Sequence, residues 1–265
     1  MRIGVVGPGA IGSTFAFLLS RAGHEVHVVA RGRRRDELLA AGAVVRVDGA
    51  RAPVEVHGSV AQLQGCELVL VPVRGEAIDG LLPALAACDA KTVMFMFNTY
   101  GGTARLRDAV GEARFAWGFP AVVARLVAGR LEARVVPRAL SFAQITTVWG
   151  RDAQRWVALF EAAGVPTVAH QDVDAWLQTH AAFMGPLMCV PAAVTWNEAR
   201  RLAEVMHAQL TRLGPRVTPA SLRLLRALPR VLVAGVLFML ARTPQWRAFE
   251  SNAAEGRWLL AAMER

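Results

Sequence analysis

Three glycines, Gly7, Gly9 and Gly12, follow one another at intervals of two and three residues near the start of the chain. The apolar residues 1–6 before them predict a buried strand, and the apolar run 13–22 after them predicts a helix. In such a unit the first glycine makes the tight turn out of the strand. The second lets a pyrophosphate approach the backbone, and the third lets the helix lie close to the sheet. The spacing therefore predicts a loop that binds a dinucleotide.

The first turn of the predicted helix supplies the groups that would hold the phosphates. Backbone N–H groups at a helix N-terminus have no partner inside the helix, and the helix dipole places partial positive charge there. We therefore expect Ala10 and Ile11, together with the three glycines, to bind the cofactor. The alternative is an ordinary glycine-rich turn between a strand and a helix.

An arginine follows the second predicted strand, residues 24–30, at the position that distinguishes NAD from NADP. NAD-binding units usually carry Asp or Glu there, which accepts a hydrogen bond from the ribose 2′-hydroxyl. Here Arg31 follows the strand, and the chain has no acid before Asp36. Because a guanidinium pairs with a 2′-phosphate that a carboxylate would repel, we predict NADP, bound by Arg31 with Arg33 or Arg34 in support. The alternative is a solvated basic start to a helix.

The composition predicts a compact, folded protein whose positive charge either fits small anionic ligands or reflects a compositional bias without functional meaning. Of the 265 residues, 54% are hydrophobic and 19% are charged, which is typical of a compact chain rather than a disordered one. The net charge of +9 fits an anionic cofactor and substrate. Its arginines are scattered, and no basic helix with interleaved aromatic residues indicates nucleic-acid binding.

The cysteines and the apolar runs predict a cytoplasmic protein. Three cysteines lie far apart, in no metal-ligand spacing, which is typical of buried residues in a reducing compartment. We accordingly expect no metal site. The chain opens directly into a strand without a signal peptide, and its longest late apolar run, 231–241, is about half of what a bilayer needs. We therefore expect no membrane association.

Strands alternate with helices in the first part of the chain, and helical patterns alone follow from residue 172 onward. Residues 67–73 and 92–97 are apolar runs of the kind that a parallel sheet buries on both faces. A hairpin is predicted around Asp48-Gly49, and strand-like segments between residues 120 and 149 are expected to extend the sheet. This order predicts an α/β fold, with a Rossmann-type dinucleotide-binding domain at 1–168 and an all-α helical domain at 169–265.

Two loops that follow central predicted strands carry a family resemblance. In Val71-Pro72-Val73-Arg74 the strand ends in a cation, and Phe97–Gly102 places Asn98 directly after the next strand. These loops resemble those of the ketopantoate reductases, the NADPH-dependent 2-dehydropantoate 2-reductases. In that family a lysine near the cofactor phosphate stands where this chain has Arg74, and an asparagine-glycine loop lies over the nicotinamide and substrate. The resemblance implies a divergent member that binds NADPH through Arg74 and Asn98 as well.

The same resemblance implies where the catalytic groups lie. The family uses a lysine shortly after a tryptophan on the first helix of the second domain, and here Gln178 stands at that place. Because an amide cannot deliver a proton near pH 7, His180 is the candidate acid, with a structural histidine as the alternative. The family's second-domain glutamate falls on Glu250, and Asn98 would orient the substrate.

Together these residues predict an NADPH-dependent oxidoreductase that reduces a small 2-oxo acid-like carbonyl compound to the hydroxy compound. Gln178 at the place of the lysine leaves two alternatives open. One is a reductase of the same fold that acts on an unrelated substrate, and the other is a non-catalytic NADP-binding protein that senses the cofactor or binds a partner. The apolar stretches 183–196 and 231–241 exceed what a small helical domain needs for its own core, so a homodimer is a further hypothesis.

Overall fold

The computed structural model describes residues 1–137, 145–190, 194–218, 222–243 and 253–264. Within the chain, two compact units are distinguished. The first unit comprises Met1–Phe97 and Ala104–Gln171, and the second unit comprises Asn98–Thr103 and Asp172–Arg265. The short loop Asn98–Thr103 therefore groups with the C-terminal residues, which no pattern in the sequence indicated.

Strands dominate the first unit. Those of the described residues are β1 (Arg2–Val6), β2 (Glu25–Val29), β3 (Ala43–Val45), β4 (Arg51–Pro53), β5 (Glu55–His57), β6 (Leu68–Val71), β7 (Thr92–Phe95), β8 (Phe115–Phe119), β9 (Val122–Val127), β10 (Arg130–Val135), β11 (Thr146–Gly150) and β12 (Thr167–Ala169). Eight of them form one sheet in the order β5-β2-β1-β6-β7-β8-β11-β12. The strands from β5 to β8 in this order are parallel, whereas β11 is antiparallel to β8. This arrangement confirms the predicted Rossmann-type α/β fold.

The order of the sheet places one edge where ligands bind. The chain moves outward from β1 to β2 and β5, and then returns to the other side of β1 with β6. In open α/β sheets the carboxyl ends of the strands flanking such a reversal form the ligand-binding crevice. The glycine loop after β1 lies at this edge, and so do the residues that follow β2 and β6.

Helices cover the sheet of the first unit. They are α1 (Ala10–Arg21), α2 (Gly32–Ala41), α3 (Leu82–Ala87), α4 (Ala104–Val110) and α5 (Ala153–Ala162). Seven of the twelve residues of the helix α1 are buried, and its Phe15 meets Phe160 of α5 edge-on, with 5.2 Å between the ring centroids. Every residue of β6 and β7 is buried, as the apolar runs at 67–73 and 92–97 predicted.

Two hairpins of the first unit lie outside the main sheet. The strands β3 and β4 pair around the predicted Asp48-Gly49 turn. The strands β9 and β10 pair with each other, so the prediction that these segments extend the main sheet was wrong for them, although β11 does extend it. Side chains of β9 alternate between half-buried and exposed, and α1 packs on this hairpin. Only one face of β9 is covered, whereas a central strand of a parallel sheet needs both faces buried.

The second unit is helical over its described residues apart from the loop Asn98–Thr103. Its helices are α6 (Val173–Met188), α7 (Trp196–Leu213), α8 (Arg223–Ala227), α9 (Arg230–Leu240) and α10 (Ala253–Glu264). Asp172 begins α6 by accepting a hydrogen bond from the backbone N–H of Ala175 at 2.9 Å. At Gly256 of α10 an added Cβ would lie 2.8 Å from Cβ of Met188, so a glycine is needed where α10 crosses α6. Among the described helices, none combines the length and hydropathy that a membrane span requires.

Candidate cofactor and substrate site

The glycine loop connects β1 to α1 by a turn that the backbone itself stabilises. Gly7 has a φ of +87°, a left-handed conformation that other residues rarely adopt. Its N–H donates to the carbonyl of Val29 at the end of β2, at 3.1 Å, and the N–H of Gly9 donates to the carbonyl of Gly7 at 2.8 Å. The loop is therefore formed before any ligand is bound.

The other two glycines have opposite surroundings. A Cβ added at Gly12 would lie 2.4 Å from the carbonyl oxygen of Gly7 and 3.0 Å from Cγ of Pro72, so α1 approaches the loop too closely for a side chain. A Cβ added at Gly9 would meet no atom of the described residues within 4 Å. Gly9 thus leaves an open cradle beside the backbone, of the kind that a phosphate group would fill.

The start of α1 offers hydrogen-bond donors to that cradle. Gly9 is the N-cap residue and provides no side-chain cap, and no acid lies in the first turn. The first bond of the helical ladder runs from the N–H of Ser13 to the carbonyl of Gly9, at 2.8 Å. The N–H groups of Ala10, Ile11 and Gly12 consequently have no acceptor within the helix. The residues present fit the diphosphate of a dinucleotide.

Two arginines extend from the same edge of the sheet. Arg31 follows β2 and is the N-cap residue of α2; its side chain is exposed and makes neither a hydrogen bond nor an ion pair within the part of the chain that the structure describes. Arg74 follows β6 and lies 3.9 Å from Glu76, in an exposed ion pair that contributes little to stability. Since β2 and β6 flank β1, both cations start from strands next to the glycine loop.

Arg34 has a role that the sequence did not reveal. Its guanidinium donates to the carbonyls of Pro8 at 3.0 Å and of Gly129 at 2.7 Å, and to Oγ of Ser13 at 2.9 Å. These bonds tie the glycine loop to α1 and to the β9–β10 hairpin. Arg33 and Arg34 both pair with Glu37, but the side chain of Arg33 is 85% exposed and that of Arg34 is 17% exposed. Nothing in the cluster of four arginines, Arg31 and Arg33–Arg35, could have distinguished Arg34 from its neighbours, because the carbonyls that it binds lie on distant elements.

The loop Asn98–Thr103 is bonded to three helices of the second unit. The side-chain amide of Asn98 donates to the carboxylate of Glu255 on α10. The hydroxyl of Tyr100 donates to Oε1 of Gln209 on α7 at 3.0 Å, and the N–H of Thr103 donates to Oδ1 of Asp174 on α6 at 2.9 Å. These contacts hold the loop in place within this unit.

Asn98 keeps one hydrogen-bonding atom unused. Its Nδ2 faces the Glu255 carboxylate, which fixes the orientation of the amide because two oxygen atoms would repel each other. Its Oδ1 is buried and has no hydrogen-bond partner among the described residues. A buried acceptor without a donor is costly, so this atom is ready to accept from a hydroxyl group of a ligand.

The two candidate residues on α6 differ in burial and charge. Gln178 is half-buried, and its amide makes no hydrogen bond to any described residue. His180 is buried and stacks on Trp176, with 5.0 Å between the ring centroids and 3° between the planes. Burial lowers the pKa of His180 to about 3. The ring is therefore neutral near pH 7, where it can donate an N–H hydrogen bond but holds no imidazolium proton to transfer.

The second-domain acid that the sequence suggested stays a prediction. Glu250 lies outside the described residues. Glu255, five residues later, is the acid that binds Asn98. The signal that could have found it is the dipeptide Glu255-Gly256, because the glycine is what lets α10 lie against α6.

The sheet order, the glycine loop and the uncapped start of α1 define a protein of the Rossmann class, which binds nucleotide cofactors at this edge of the sheet. The family model of the ketopantoate reductases PanE/ApbA matches residues 3–141, more than half of the chain. The chain therefore belongs to the ketopantoate reductase PanE/ApbA family, which confirms the resemblance seen in its loops. Membership makes the protein an oxidoreductase of this fold and implies a nicotinamide dinucleotide cofactor.

Solved structures share the fold. The 2-dehydropantoate 2-reductase from Geobacter metallireducens GS-15 has a TM-score of 0.67 and 18% identity, covering 100% of this chain and 99% of that one. The PanE/ApbA family ketopantoate reductase from Ralstonia eutropha JMP134 has a TM-score of 0.65 and 18% identity, covering 100% of both chains. D-mandelate dehydrogenase with NADH and anilino(oxo)acetate has a TM-score of 0.63 and 14% identity, covering 92% of this chain and 81% of that one. No curated protein matches the sequence.

Proposed function

We propose that the protein is an NADPH-dependent reductase of a small, anionic carbonyl compound of the 2-oxo acid class. The observation that carries the proposal is the open cradle at Gly9, with exposed Arg31 at the end of the neighbouring strand β2. The Ala10 and Ile11 N–H groups would bind the diphosphate, and Arg31 the 2′-phosphate. Arg74 would add positive charge at the same edge. The bound nicotinamide would supply the hydride.

The second unit would contribute the groups that orient the substrate. Oδ1 of Asn98 would accept a hydrogen bond from a ligand hydroxyl, while Glu255 holds its amide in position. Gln178 would donate a hydrogen bond to a carbonyl oxygen without giving up a proton. Neutral His180 would act as a hydrogen-bond donor, so the proton for the alkoxide would come from water or from the Glu250 region.

A non-catalytic NADP-binding protein is the second candidate function. Two observations favour it: Gln178 cannot titrate, and burial lowers the pKa of His180 to about 3. Neither residue would hold a transferable proton at pH 7. Such a protein would bind NADPH tightly without oxidising it in the presence of any 2-oxo acid.

Fluorescence titration with NADPH and NADH tests the cofactor. Arg31→Ala should weaken NADPH binding about 10- to 100-fold, since a charge-assisted bond contributes about 1.5–3 kcal/mol, and should change NADH binding less than about twofold. The matched control is Arg125→Ala, because that side chain is 72% exposed and pairs with Glu132 on the neighbouring strand β10. Equal loss for both cofactors in Arg31→Ala would contradict the assignment of the 2′-phosphate.

An assay of NADPH oxidation with a panel of 2-oxo acids, ketopantoate included, separates the two functions. Turnover with one of them supports the reductase. Tight binding without turnover supports the cofactor-binding protein, and failure to bind NADPH would overturn both proposals.

We also propose a cytoplasmic location, on the ground that none of the three described cysteines forms a disulfide. Burial raises the pKa of the Cys66 thiol to about 11, as expected for an unreactive core residue.

The homodimer stays a prediction. The helix α9 exposes Val231, Val236 and Met239, and sedimentation velocity would measure whether two copies associate.

A further inference from the structure

Two histidines and a glutamate meet on one face of the main sheet, at its β5 edge. The edge strand β5 pairs with β2 in parallel, with His27 opposite Glu55 and Val29 opposite His57. Because side chains on a strand alternate between the two faces, Glu55 and His57 share a face, and the register gives His27 the same one. The strand pairing thus unites residues that lie about thirty positions apart in the sequence.

The nitrogen and oxygen atoms of these side chains converge. Nδ1 of His27 lies 2.9 Å from Nε2 of His57 and 3.4 Å from Oε2 of Glu55, and Nε2 of His57 lies 3.6 Å from Oε1 of Glu55. Ligand atoms about 2.1 Å from a tetrahedral Zn²⁺ lie about 3.4 Å from one another. The two nitrogen-to-oxygen separations are close to that value, each to a different oxygen of Glu55, and the two nitrogens lie about 0.5 Å closer together than that value. One proton shared between Nδ1 of His27 and Nε2 of His57 satisfies these two nitrogens. The carboxylate of Glu55 beside them remains available as a third metal ligand.

We propose that His27, Glu55 and His57 bind one divalent transition-metal ion, for which Zn²⁺ is the fitting representative. Two imidazoles and a carboxylate form a donor set that zinc and its neighbours in the periodic table take in proteins. His27 is 2% exposed and His57 is 12% exposed, so both rings are held in place by their surroundings, whereas Glu55 is 61% exposed. The site is therefore open to solvent on the carboxylate side, where water would complete the coordination.

A second carboxylate orients His27 for this task. Nε2 of His27 lies 2.8 Å from Oε1 of Glu25, two residues earlier on the same strand. A histidine that donates one ring N–H to a carboxylate presents its other nitrogen to a metal as an unprotonated ligand. Nε of Arg2 donates to the Glu25 oxygen at 3.1 Å, and it also donates to Nε2 of His27 at 3.0 Å in the tautomer that carries its proton on Nδ1. A metal ion bound at Nδ1 would select the other tautomer, in which Nε2 carries the proton and Glu25 accepts from both His27 and Arg2.

The charges around the site favour a cation. Arg2 contributes one positive charge, which Glu25 balances, and Glu55 contributes a negative charge facing the two rings. A divalent ion would be partly neutralised there rather than repelled. The ion would connect β5, a three-residue edge strand, to β2, and so would stabilise the edge of the sheet. This inference is independent of the proposed reductase activity.

The proposal is tested by titrating the metal-free full-length protein with Zn²⁺ in an isothermal calorimeter and by measuring its thermal unfolding with and without Zn²⁺. We expect one ion per chain and a rise of about 5 °C in the midpoint of thermal unfolding once Zn²⁺ exceeds its Kd about a hundredfold. Co²⁺ should bind to the same site and give the visible absorption spectrum of a low-coordinate nitrogen and oxygen environment. NADPH affinity serves as a separate readout and should not change.

Variants locate the ion. Glu55→Ala, at an exposed position that should leave folding intact, and His57→Gln should each weaken Zn²⁺ binding at least tenfold, and Glu25→Gln about tenfold. The matched controls are Glu132→Ala, a half-exposed glutamate on the strand β10 that pairs with Arg125, and His207→Gln, on α7 of the second unit. Absence of stoichiometric Zn²⁺ binding would overturn the proposal. So would unchanged binding in both Glu55→Ala and His57→Gln, because the ion would then lie elsewhere.

Discussion

A methyl group added at Gly12 and one added at Gly9 should impair the protein for different reasons. In Gly12→Ala the new Cβ would lie 2.4 Å from the carbonyl oxygen of Gly7, about 1 Å inside the distance at which ordinary contact begins. The oxygen belongs to the backbone of a hydrogen-bonded turn and cannot rotate away. The helix α1 must therefore move away from the loop and from the core beneath it.

The expected cost of Gly12→Ala follows from two opposed effects. Overpacking of a buried site costs about 1–3 kcal/mol and more where backbone is displaced, whereas replacing glycine by alanine inside a helix returns up to about 1 kcal/mol. We expect a net loss of about 2 kcal/mol, which lowers the midpoint of thermal unfolding by about 4–8 °C for a unit of this size. In Gly9→Ala no atom of the described residues lies within 4 Å of the new Cβ, so the loss should stay below about 1 kcal/mol.

Binding should show the reverse order of effects. The methyl group of Gly9→Ala occupies the space beside the free N–H groups of α1, so NADPH affinity should fall at least tenfold in a protein of nearly wild-type stability. Thermal unfolding followed by circular dichroism measures the first effect, and fluorescence titration with NADPH measures the second. A Gly12→Ala protein as stable as the wild type, or a Gly9→Ala protein that binds NADPH as tightly, would refute the reasoning.

Three further predictions concern single side chains. Arg34→Ala should lower the free energy of unfolding by about 2–3 kcal/mol through its lost bonds to the glycine loop, whereas Arg33→Ala should change it by less than about 0.5 kcal/mol; urea denaturation compares them. Because burial lowers the pKa of His180 to about 3, the unfolded chain binds a proton that the folded chain excludes as the pH falls below about 6.5. The free energy of unfolding should then decrease by up to about 1.4 kcal/mol for each pH unit below about 6.5. His180→Phe should remove this part of the acid sensitivity. Urea denaturation at two pH values measures both effects. Gln178→Lys should raise kcat for a 2-oxo acid substrate at least tenfold and add a pH dependence to it, and unchanged turnover would contradict the role assigned to this position.

Local patterns were sufficient for much of the fold. The apolar runs that became β6 and β7 carry a polar residue only at their first position, Glu67 and Thr92, because a parallel strand is buried on both faces. The segments that became β9 and β10 were assigned as strands but attributed to the wrong sheet. The pattern of apolar residues in a strand predicts which side chains are buried. It does not predict which other strand pairs with it.

The candidate site also combines residues that are close together in the sequence with residues that are far apart in it. The glycine loop and Arg31 lie within one strand-loop-helix-strand unit, so their spacing in the sequence reflects their spacing in the molecule. The bond between Asn98 and Glu255 joins residues 157 positions apart, whereas the predicted acid Glu250 lies outside the described residues. No local pattern can specify such a pair, since its formation depends on how α10 packs against its neighbours.

The sequence by itself determined the class of fold, the dinucleotide loop and the family resemblance, because each rests on residues that are close together in the chain. Only the tertiary structure decided that Arg34 forms hydrogen bonds to the glycine loop and that His180 is neutral. It also decided that His27 on β2 and His57 on β5 face each other. These properties depend on burial and on the register of strand pairing. Both are set by contacts between distant segments, whose energies no single segment contains.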